Sequence, residues 1–182
     1  GESDFVIVSM HMGMEFSRSV HPMYRELAHA AVDLGADCVV GHHPHVVQGM
    51  ERYRDKPIIY SLGNFLFDNY AGAVTYEGHW EARHQGLVAM VSFGSDEIGV
   101  EVHPTVYSSD EMVVRLATGE TRSRLLDEFE EMSAELISGS TTVASAESQG
   151  LSAILSREVK TVVALTRLHG LAFLVYFVRD LK

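Results

Sequence analysis

The stretch Cys38-Val39-Val40-Gly41-His42-His43-Pro44-His45 places three imidazoles within four residues, directly after an apolar run. Such a run predicts a buried β-strand, and the histidines would follow its C-terminal end. Open α/β sheets carry their chemistry at that end of their strands. Because imidazole is the commonest protein ligand of transition metals, the stretch predicts a metal or catalytic site rather than a solvated loop.

A strand and a helix are predicted upstream of this stretch. Residues 4–10 form an apolar run rich in β-branched side chains that leads into His11, while Pro22 suits a first helical turn and Gly35 suits the position after a helix. The order strand–helix–strand predicts two parallel strands, so His11 and residues 42–45 should meet at one edge of the sheet. The helix positions expected to face the core are Met23, Leu27, Ala30, Ala31 and Leu34.

Further elements are predicted downstream. Residues 57–62 read as a strand, residues 87–107 as an antiparallel hairpin, and residues 121–137 as an amphipathic helix. The stretch 138–148 is rich in Ser, Thr, Ala and Gly and predicts a linker. Residues 151–181 predict one more long helix, interrupted near its only internal glycine.

The bulk properties exclude some classes of function. The formal net charge of −11 argues against broad nucleic-acid binding, which needs a basic surface. The single cysteine, Cys38, permits no intrachain disulfide and is expected in the core. The apolar segment 162–178 is short for a membrane span and contains Arg167 and His169, so membrane contact is only weakly indicated. The chain opens almost directly into a strand, and we expect it to be the later part of a longer protein.

Several side chains around the histidine stretch are candidates for chemistry. Side chains two apart in an extended segment point the same way, so His43 and His45 can ligate one centre or two adjacent ones, while His42 points elsewhere. With His11 they supply three nitrogens, enough for the protein side of one catalytic metal. Glu15, in the loop after the first strand, can support a ligand, act as a general acid or base, or simply be solvated.

Asn64 is a candidate at the end of the strand 57–62. It follows Gly63, so it can be a turn residue that tolerates a left-handed backbone. It can equally offer its amide to a ligand at the same sheet edge. In this second interpretation, Asn64 is the candidate substrate-binding residue.

Four motifs along the chain, in order, resemble one known family. They are Ser9-Met10-His11-Met12-Gly13-Met14-Glu15, Gly35-Ala36-Asp37, Gly41-His42-His43-Pro44-His45-Val46-Val47-Gln48 and Tyr60-Ser61-Leu62-Gly63-Asn64-Phe65-Leu66-Phe67-Asp68. Together they resemble the bacterial capsule-synthesis CapA family, which is associated with poly-γ-glutamate synthesis and belongs to the calcineurin-like metallophosphoesterases. The resemblance implies an α/β (α+β) fold, with residues 1–110 as the later half of a four-layer sandwich and residues 111–182 as a helical extension.

The resemblance also implies a chemistry. The complete site of the family would hold two divalent transition metals (Mn, Zn or Fe), here through His11, His43 and His45, for hydrolysis of a phosphoester. His42 would protonate the leaving group or hold a phosphate oxygen, with Glu15 as a second catalytic candidate. The family's Asp-x-His, Gly-Asp and Asn-bearing motifs do not precede the first strand here. We therefore expect weak metal binding and poor hydrolysis from this chain alone.

Partners and location follow from the same resemblance. The substrate would be a phosphoester or an anionic polymer such as polyglutamate, which a −11 chain repels unless a metal or a local basic patch bridges them. A polymer-synthesis complex, or a second polypeptide that supplies the missing half, would be a further partner. The family suggests the extracytoplasmic face of the bacterial cell envelope. The alternative function is a non-catalytic accessory or binding subunit that retains the fold.

Overall fold

The structure is a computed structural model that describes residues 5–66, 80–94, 97–108 and 110–139, together with the backbone of Phe173–Leu174. Eight strands and three helices occur in these parts of the chain. In chain order they are β1 (Ile7–His11), α1 (Pro22–Asp33), β2 (Cys38–His42), β3 (Val47–Tyr53), β4 (Lys56–Leu62), α2 (Trp80–Arg83), β5 (Gln85–Phe93), β6 (Ile98–Ser108), β7 (Val113–Leu116), α3 (Gly119–Ser138) and β8 (Phe173–Leu174).

The strands form two four-stranded sheets. The first sheet has the order β1-β2-β4-β3, in which β1, β2 and β4 are parallel and β3 is antiparallel to β4. The second sheet has the order β7-β6-β5-β8 and is antiparallel throughout. The predicted parallel pair and the predicted hairpin are therefore confirmed.

Two apolar layers hold the elements together. One lies between the sheets and contains Ile7, Cys38, Val40, Ile59, Leu62, Leu87, Ala89, Val91, Ile98 and Phe129. The other lies under α1, on the opposite face of the first sheet, and contains Met10, Met12, Val20, Ala28, Val32, Ala36, Val39, Ile58, Tyr60 and Leu136. The described chain is thus an α+β fold of helix, sheet and sheet. Cys38 is fully buried, as predicted, and burial raises the pKa of its thiol to about 12.

Helix α3 packs along β3, the edge strand of the first sheet. The backbone of α3 passes so close to Gly49 that a Cβ there would lie 2.6 Å from the nitrogen of Ser133. The Ser133 hydroxyl accepts a hydrogen bond from the nitrogen of Met50 (3.0 Å) and donates one to the carbonyl of Phe129 (2.7 Å). The helix therefore covers the edge that β3 would otherwise expose. Its predicted amphipathic character is confirmed, since Leu125, Phe129 and Leu136 are buried.

The core-facing side of α1 differs from the prediction. Ala28 and Val32 are its buried residues, and the predicted Leu27 and Ala31 pack against them partly buried, whereas Leu34 is 90% exposed. The buried side of α1 is thus rotated by about one residue from the side predicted from the sequence. The physical reason is a buried carboxylate, Glu51 of β3, which binds Arg25 and His29 of the helix and draws that side of α1 towards the sheet.

The remaining expectations about the fold are corrected, lie outside the described residues or stay predictions. Strand β3 had no counterpart in the sequence prediction. At Phe173–Leu174 the backbone pairs with β5 as a strand, so the long helix expected over 151–181 is wrong at these two residues. The remaining residues of that segment, and nearly all of the predicted linker 138–148, lie outside the described residues. The division of the chain at residue 110 stays a prediction.

In the described part of the chain, every helix is too short or too polar to cross a bilayer.

Candidate functional site

The candidate site lies at the C-terminal edge of the first sheet. β1 and β2 run parallel in register, so that His11 lies directly opposite His42 at the last pair of the ladder. His11 lies on the same face of β1 as Ile7, and His42 lies on the same face of β2 as Cys38 and Val40, because side chains two apart in a strand point the same way. This face is turned towards the second sheet. The prediction that the first strand and the histidine stretch meet at one sheet edge is confirmed.

The backbone of residues 43–46 bends instead of continuing as a strand. His43 and His45 have positive φ values of 108° and 60°. The expectation of an extended segment, from which their common direction was predicted, is therefore wrong. The bend is held by the loop after β1: the nitrogen of Phe16 donates to the carbonyl of Pro44 (2.8 Å), and Gly13 packs so tightly on the Pro44 ring that a Cβ would clash.

This backbone is energetically unfavourable for histidine. A non-glycine residue in a sparsely populated region of φ/ψ space costs on the order of 1–3 kcal/mol, and such residues cluster at functional sites. Two of them, His43 and His45, flank one proline here. The strain is offset by the contacts of the bend, including those of buried Gln48, whose amide donates to the carbonyl of Ser17 (2.8 Å) in the same loop.

The bend brings two imidazole nitrogens together. His43 Nδ1 lies 3.1 Å from His11 Nε2, and the two rings meet edge to face with centroids 4.8 Å apart. Without a cation, one nitrogen donates and the other accepts. Ligand nitrogens at 2.0–2.1 Å from a tetrahedral metal are separated by about 3.3 Å, so the observed spacing also fits two ligands of one cation.

The third predicted ligand, His45, has a different partner. Its Nδ1 lies 2.9 Å from Oδ1 of Asn64, whose Nδ2 donates to the carbonyl of Arg83 (3.0 Å). The His45 ring is 6.2 Å from that of His43 and stacks on Phe16, over which the Arg83 guanidinium lies. Burial lowers the pKa of His45, against opposing effects of the Asn64 hydrogen bond and the charge of Glu15.

These residues fit only part of a metal site. His11 and His43 form a suitable pair, but the described residues contain no group of three or more His, Cys, Asp or Glu side chains arranged to hold a metal ion. A catalytic zinc site normally has three protein ligands. The pair therefore fits two positions of a ligand shell that needs further donors.

The predicted catalytic residues differ in their surroundings. His42 is partly buried, and burial together with the neighbouring His11 lowers its pKa to about 4. The His42 ring is thus neutral at pH 7, which suits a ligand or a hydrogen-bond donor to a phosphate oxygen better than a charged acid. Glu15 is exposed in the loop, close enough for its charge to raise the pKa of His45. Their catalytic roles stay predictions.

Two residues of the site were not identified from the sequence. Phe16 has a positive φ of 60° and contacts His45 from the loop, and Arg83 contributes both its carbonyl and its guanidinium from α2. Neither belongs to a metal-binding or catalytic pattern. Phe16 directly follows the first family-like motif, which is the one signal that points to it.

Part of this chain is similar to known proteins. Residues 1–69 match the family described as bacterial capsule synthesis protein PGA_cap. Capsule biosynthesis protein CapA of Bacillus anthracis is 50% identical over 68 residues, which are 37% of this chain and 16% of that protein. PGA biosynthesis protein CapA of Bacillus subtilis is 48% identical over 66 residues, 36% of this chain and 17% of that protein.

A more distant similarity covers the same part of the chain. A probable polyglutamine synthesis accessory protein of Mycobacterium tuberculosis is 39% identical over 74 residues, 41% of this chain and 19% of that protein. The matched region includes β1 to β4 and every histidine of the bend. The chain thus spans less than a fifth of the length of these curated relatives.

Proposed function

We propose that this chain provides the histidine-bearing part of a metal-dependent phosphoesterase site of the CapA type, acting in capsule or poly-γ-glutamate synthesis. The observation that carries the proposal is the 3.1 Å approach of His11 Nε2 to His43 Nδ1 at the sheet edge. The similarity of residues 1–69 to the capsule synthesis family supports the same assignment. In this proposal the two described sheets belong to a calcineurin-like sandwich whose remaining layers and ligands lie outside the described residues.

The residues of the site have distinct proposed roles. A bound divalent cation, Mn²⁺, Zn²⁺ or iron, would supply Lewis acidity towards a phosphoryl oxygen. His11 and His43 would hold the cation, with His45 as a third candidate. The neutral ring of His42 would donate a hydrogen bond to a phosphate oxygen, and Glu15 would accept a proton from solvent at the mouth of the site.

Hydrolysis of a chromogenic phosphodiester with added Mn²⁺ or Zn²⁺ tests the proposal. We expect slow turnover that depends on the metal, because the described ligand set is partial. His43→Ala should reduce the rate to that of the metal alone, while His103→Ala, which removes a histidine of β6 beside Glu101, should keep it. Turnover that survives His43→Ala would contradict the proposed site.

A second function is favoured by one observation. Within the described residues, no more than two candidate metal donors are grouped together. Such a partial set also suits an accessory subunit that retains the fold without catalysis. In that case poly-γ-glutamate would bind with unchanged affinity in His43→Ala. Under the phosphoesterase proposal, polymer binding by this acidic chain should require the metal and should be lost in the same variant.

The location is proposed from the relatives. Two relatives are named for capsule and PGA biosynthesis, and from these names we propose an association with the bacterial cell envelope. Fractionation of cells that express the protein at its native level tests this. Recovery with the membrane or wall fraction is expected, and recovery with cytoplasmic markers alone would contradict it.

A further inference from the structure

Asn64 connects the histidine bend to the start of the second sheet. It is 7% exposed and follows Gly63, which forms an isolated antiparallel bridge with Gly86. Both ends of its amide are engaged inside the protein. Nδ2 donates to the carbonyl of Arg83 at 3.0 Å, and Oδ1 lies 2.9 Å from Nδ1 of His45.

These two contacts fix the proton on the His45 ring. The Arg83 carbonyl can only accept a hydrogen bond, so the amide atom that faces it must be the nitrogen of Asn64. The atom that faces His45 is then the amide oxygen, which also can only accept. His45 Nδ1 therefore carries a hydrogen. A neutral imidazole carries a single ring hydrogen, so in the neutral ring Nε2 is left with a lone pair.

We propose that Asn64 is a positioning residue that holds His45 in its Nδ1-protonated tautomer and so makes Nε2 the nitrogen that can bind a cation. Histidine in water favours the opposite tautomer, with the hydrogen on Nε2, so the protein must maintain the less populated form. Partners of this kind orient metal-binding histidines and fix their tautomers. The role in cation binding rests on the function proposed above, whereas the tautomer is a property of the chain alone.

The tautomer can be measured directly. Long-range ¹H–¹⁵N correlation spectra of the metal-free 182-residue chain at pH 7.5 distinguish protonated from unprotonated ring nitrogens. We expect a protonated Nδ1 and an unprotonated Nε2 for His45. Asn64→Asp loses the hydrogen bond to the Arg83 carbonyl but should keep the hydrogen on Nδ1, because a carboxylate oxygen still accepts from His45. Asn64→Leu should shift the hydrogen to Nε2.

Two results would overturn the proposal. One is a wild-type His45 with its hydrogen on Nε2, and the other is a folded Asn64→Leu variant whose His45 spectrum is unchanged. The amide dispersion of each variant shows whether it is folded. If Asn64→Leu does not fold, the wild-type and Asn64→Asp spectra decide the question, since loss of the Nδ1 hydrogen in either contradicts the assignment.

Zn²⁺ titration by calorimetry extends the test to the cation. Asn64→Leu should weaken Zn²⁺ binding by about 10–100-fold, and Asn64→Asp should not weaken it. His11→Ala should weaken binding without altering the His45 tautomer. A wild-type chain with the expected tautomer but no Zn²⁺ binding would remove the proposed function and leave the tautomer assignment intact. Equal Zn²⁺ affinity in folded Asn64→Leu would remove the positioning role and leave the proposed function intact.

Discussion

The Nε2 atom of His11 lies 3.1 Å from the Nδ1 atom of His43, although 32 positions separate the two residues in the chain. His11 is placed by the regular ladder between β1 and β2, in which it lies opposite His42. His43 is placed by a backbone with a φ of 108°, just past the end of β2. One nitrogen thus belongs to a residue at the regular sheet edge, and the other belongs to a residue of the strained bend. These two placements together bring the nitrogens within 3.1 Å of each other.

A cluster of polar and charged residues, the Glu51 cluster (Glu51, Arg25, His29 and Tyr60), lies on the face of the first sheet that packs against α1. The Glu51 carboxylate is 5% exposed and accepts hydrogen bonds from Arg25 (2.9 Å) and Tyr60 (2.6 Å), with His29 Nε2 at 2.7 Å. We expect Glu51→Gln to lower the free energy of unfolding by about 2–3 kcal/mol, because Arg25 loses its charged partner and the hydrogen bonds from Arg25, His29 and Tyr60 weaken. Urea unfolding followed by circular dichroism measures this change.

Glu97→Gln is the matched control for that variant. The Glu97 carboxylate is 79% exposed and lies 3.6 Å from Arg52, so its ion pair is largely screened by solvent. The same substitution should leave the unfolding midpoint unchanged within error. Equal effects of the two variants would show that the burial of Glu51 contributes nothing to stability.

The Glu51 cluster also predicts a pH dependence of stability. Its hydrogen bonds, chiefly that from Arg25, outweigh burial and hold the pKa of Glu51 at about 2, below its ordinary value of 4.5. A carboxyl with a depressed pKa stabilises the folded state fully above the unfolded value, and this contribution is lost as the pH falls through the folded value. The stability difference between wild type and Glu51→Gln should therefore shrink from about pH 4.5 to pH 2. A difference that stays constant over this window would contradict the assignment.

The crossing of α3 over β3 depends on the absence of a side chain at Gly49. In Gly49→Ala the new Cβ would lie 2.6 Å from the nitrogen of Ser133, and helix backbone yields less readily than a side chain. We expect a loss of about 1–3 kcal/mol and faster amide exchange at Met50, whose nitrogen donates to the Ser133 hydroxyl.

Gly99→Ala provides the comparison for this prediction. Its Cβ would meet the hydroxyl of Ser92 at 2.5 Å, but that group ends a short side chain that can rotate away. We expect a smaller change in stability and no change in exchange at Met50. If Gly99→Ala were as destabilising as Gly49→Ala, the close packing of α3 would not explain the effect.

The apolar patterns of the sequence predicted most of the elements but not the polar contacts that orient them. The runs at Val39 and Ile58 and the spacing of Leu125, Phe129 and Leu136 identify β2, β4 and α3, because these residues face the core. β3 was missed because Glu51 is polar and buried. Its burial depends on partners from other elements, which no local pattern encodes.

The candidate site was predicted in place but not in detail. The parallel order of β1 and β2 was sufficient to bring His11 next to the bend. The positive φ values of His43 and His45 were not predictable, since they depend on the tertiary contact between Pro44 and the loop at Gly13. For the same reason the contact of His45 with Asn64 appears only in the folded chain.

X-ray absorption spectroscopy of the chain loaded with one equivalent of Zn²⁺ tests the central claim most directly. The proposed pair predicts at least two imidazole nitrogens at about 2.0–2.1 Å from the metal, and one fewer in either His11→Ala or His43→Ala. His103→Ala should leave the spectrum unchanged, because that side chain lies on β6 beside Glu101. A spectrum with fewer than two imidazoles, or one that neither His11→Ala nor His43→Ala alters, would contradict the assignment of these histidines as metal ligands.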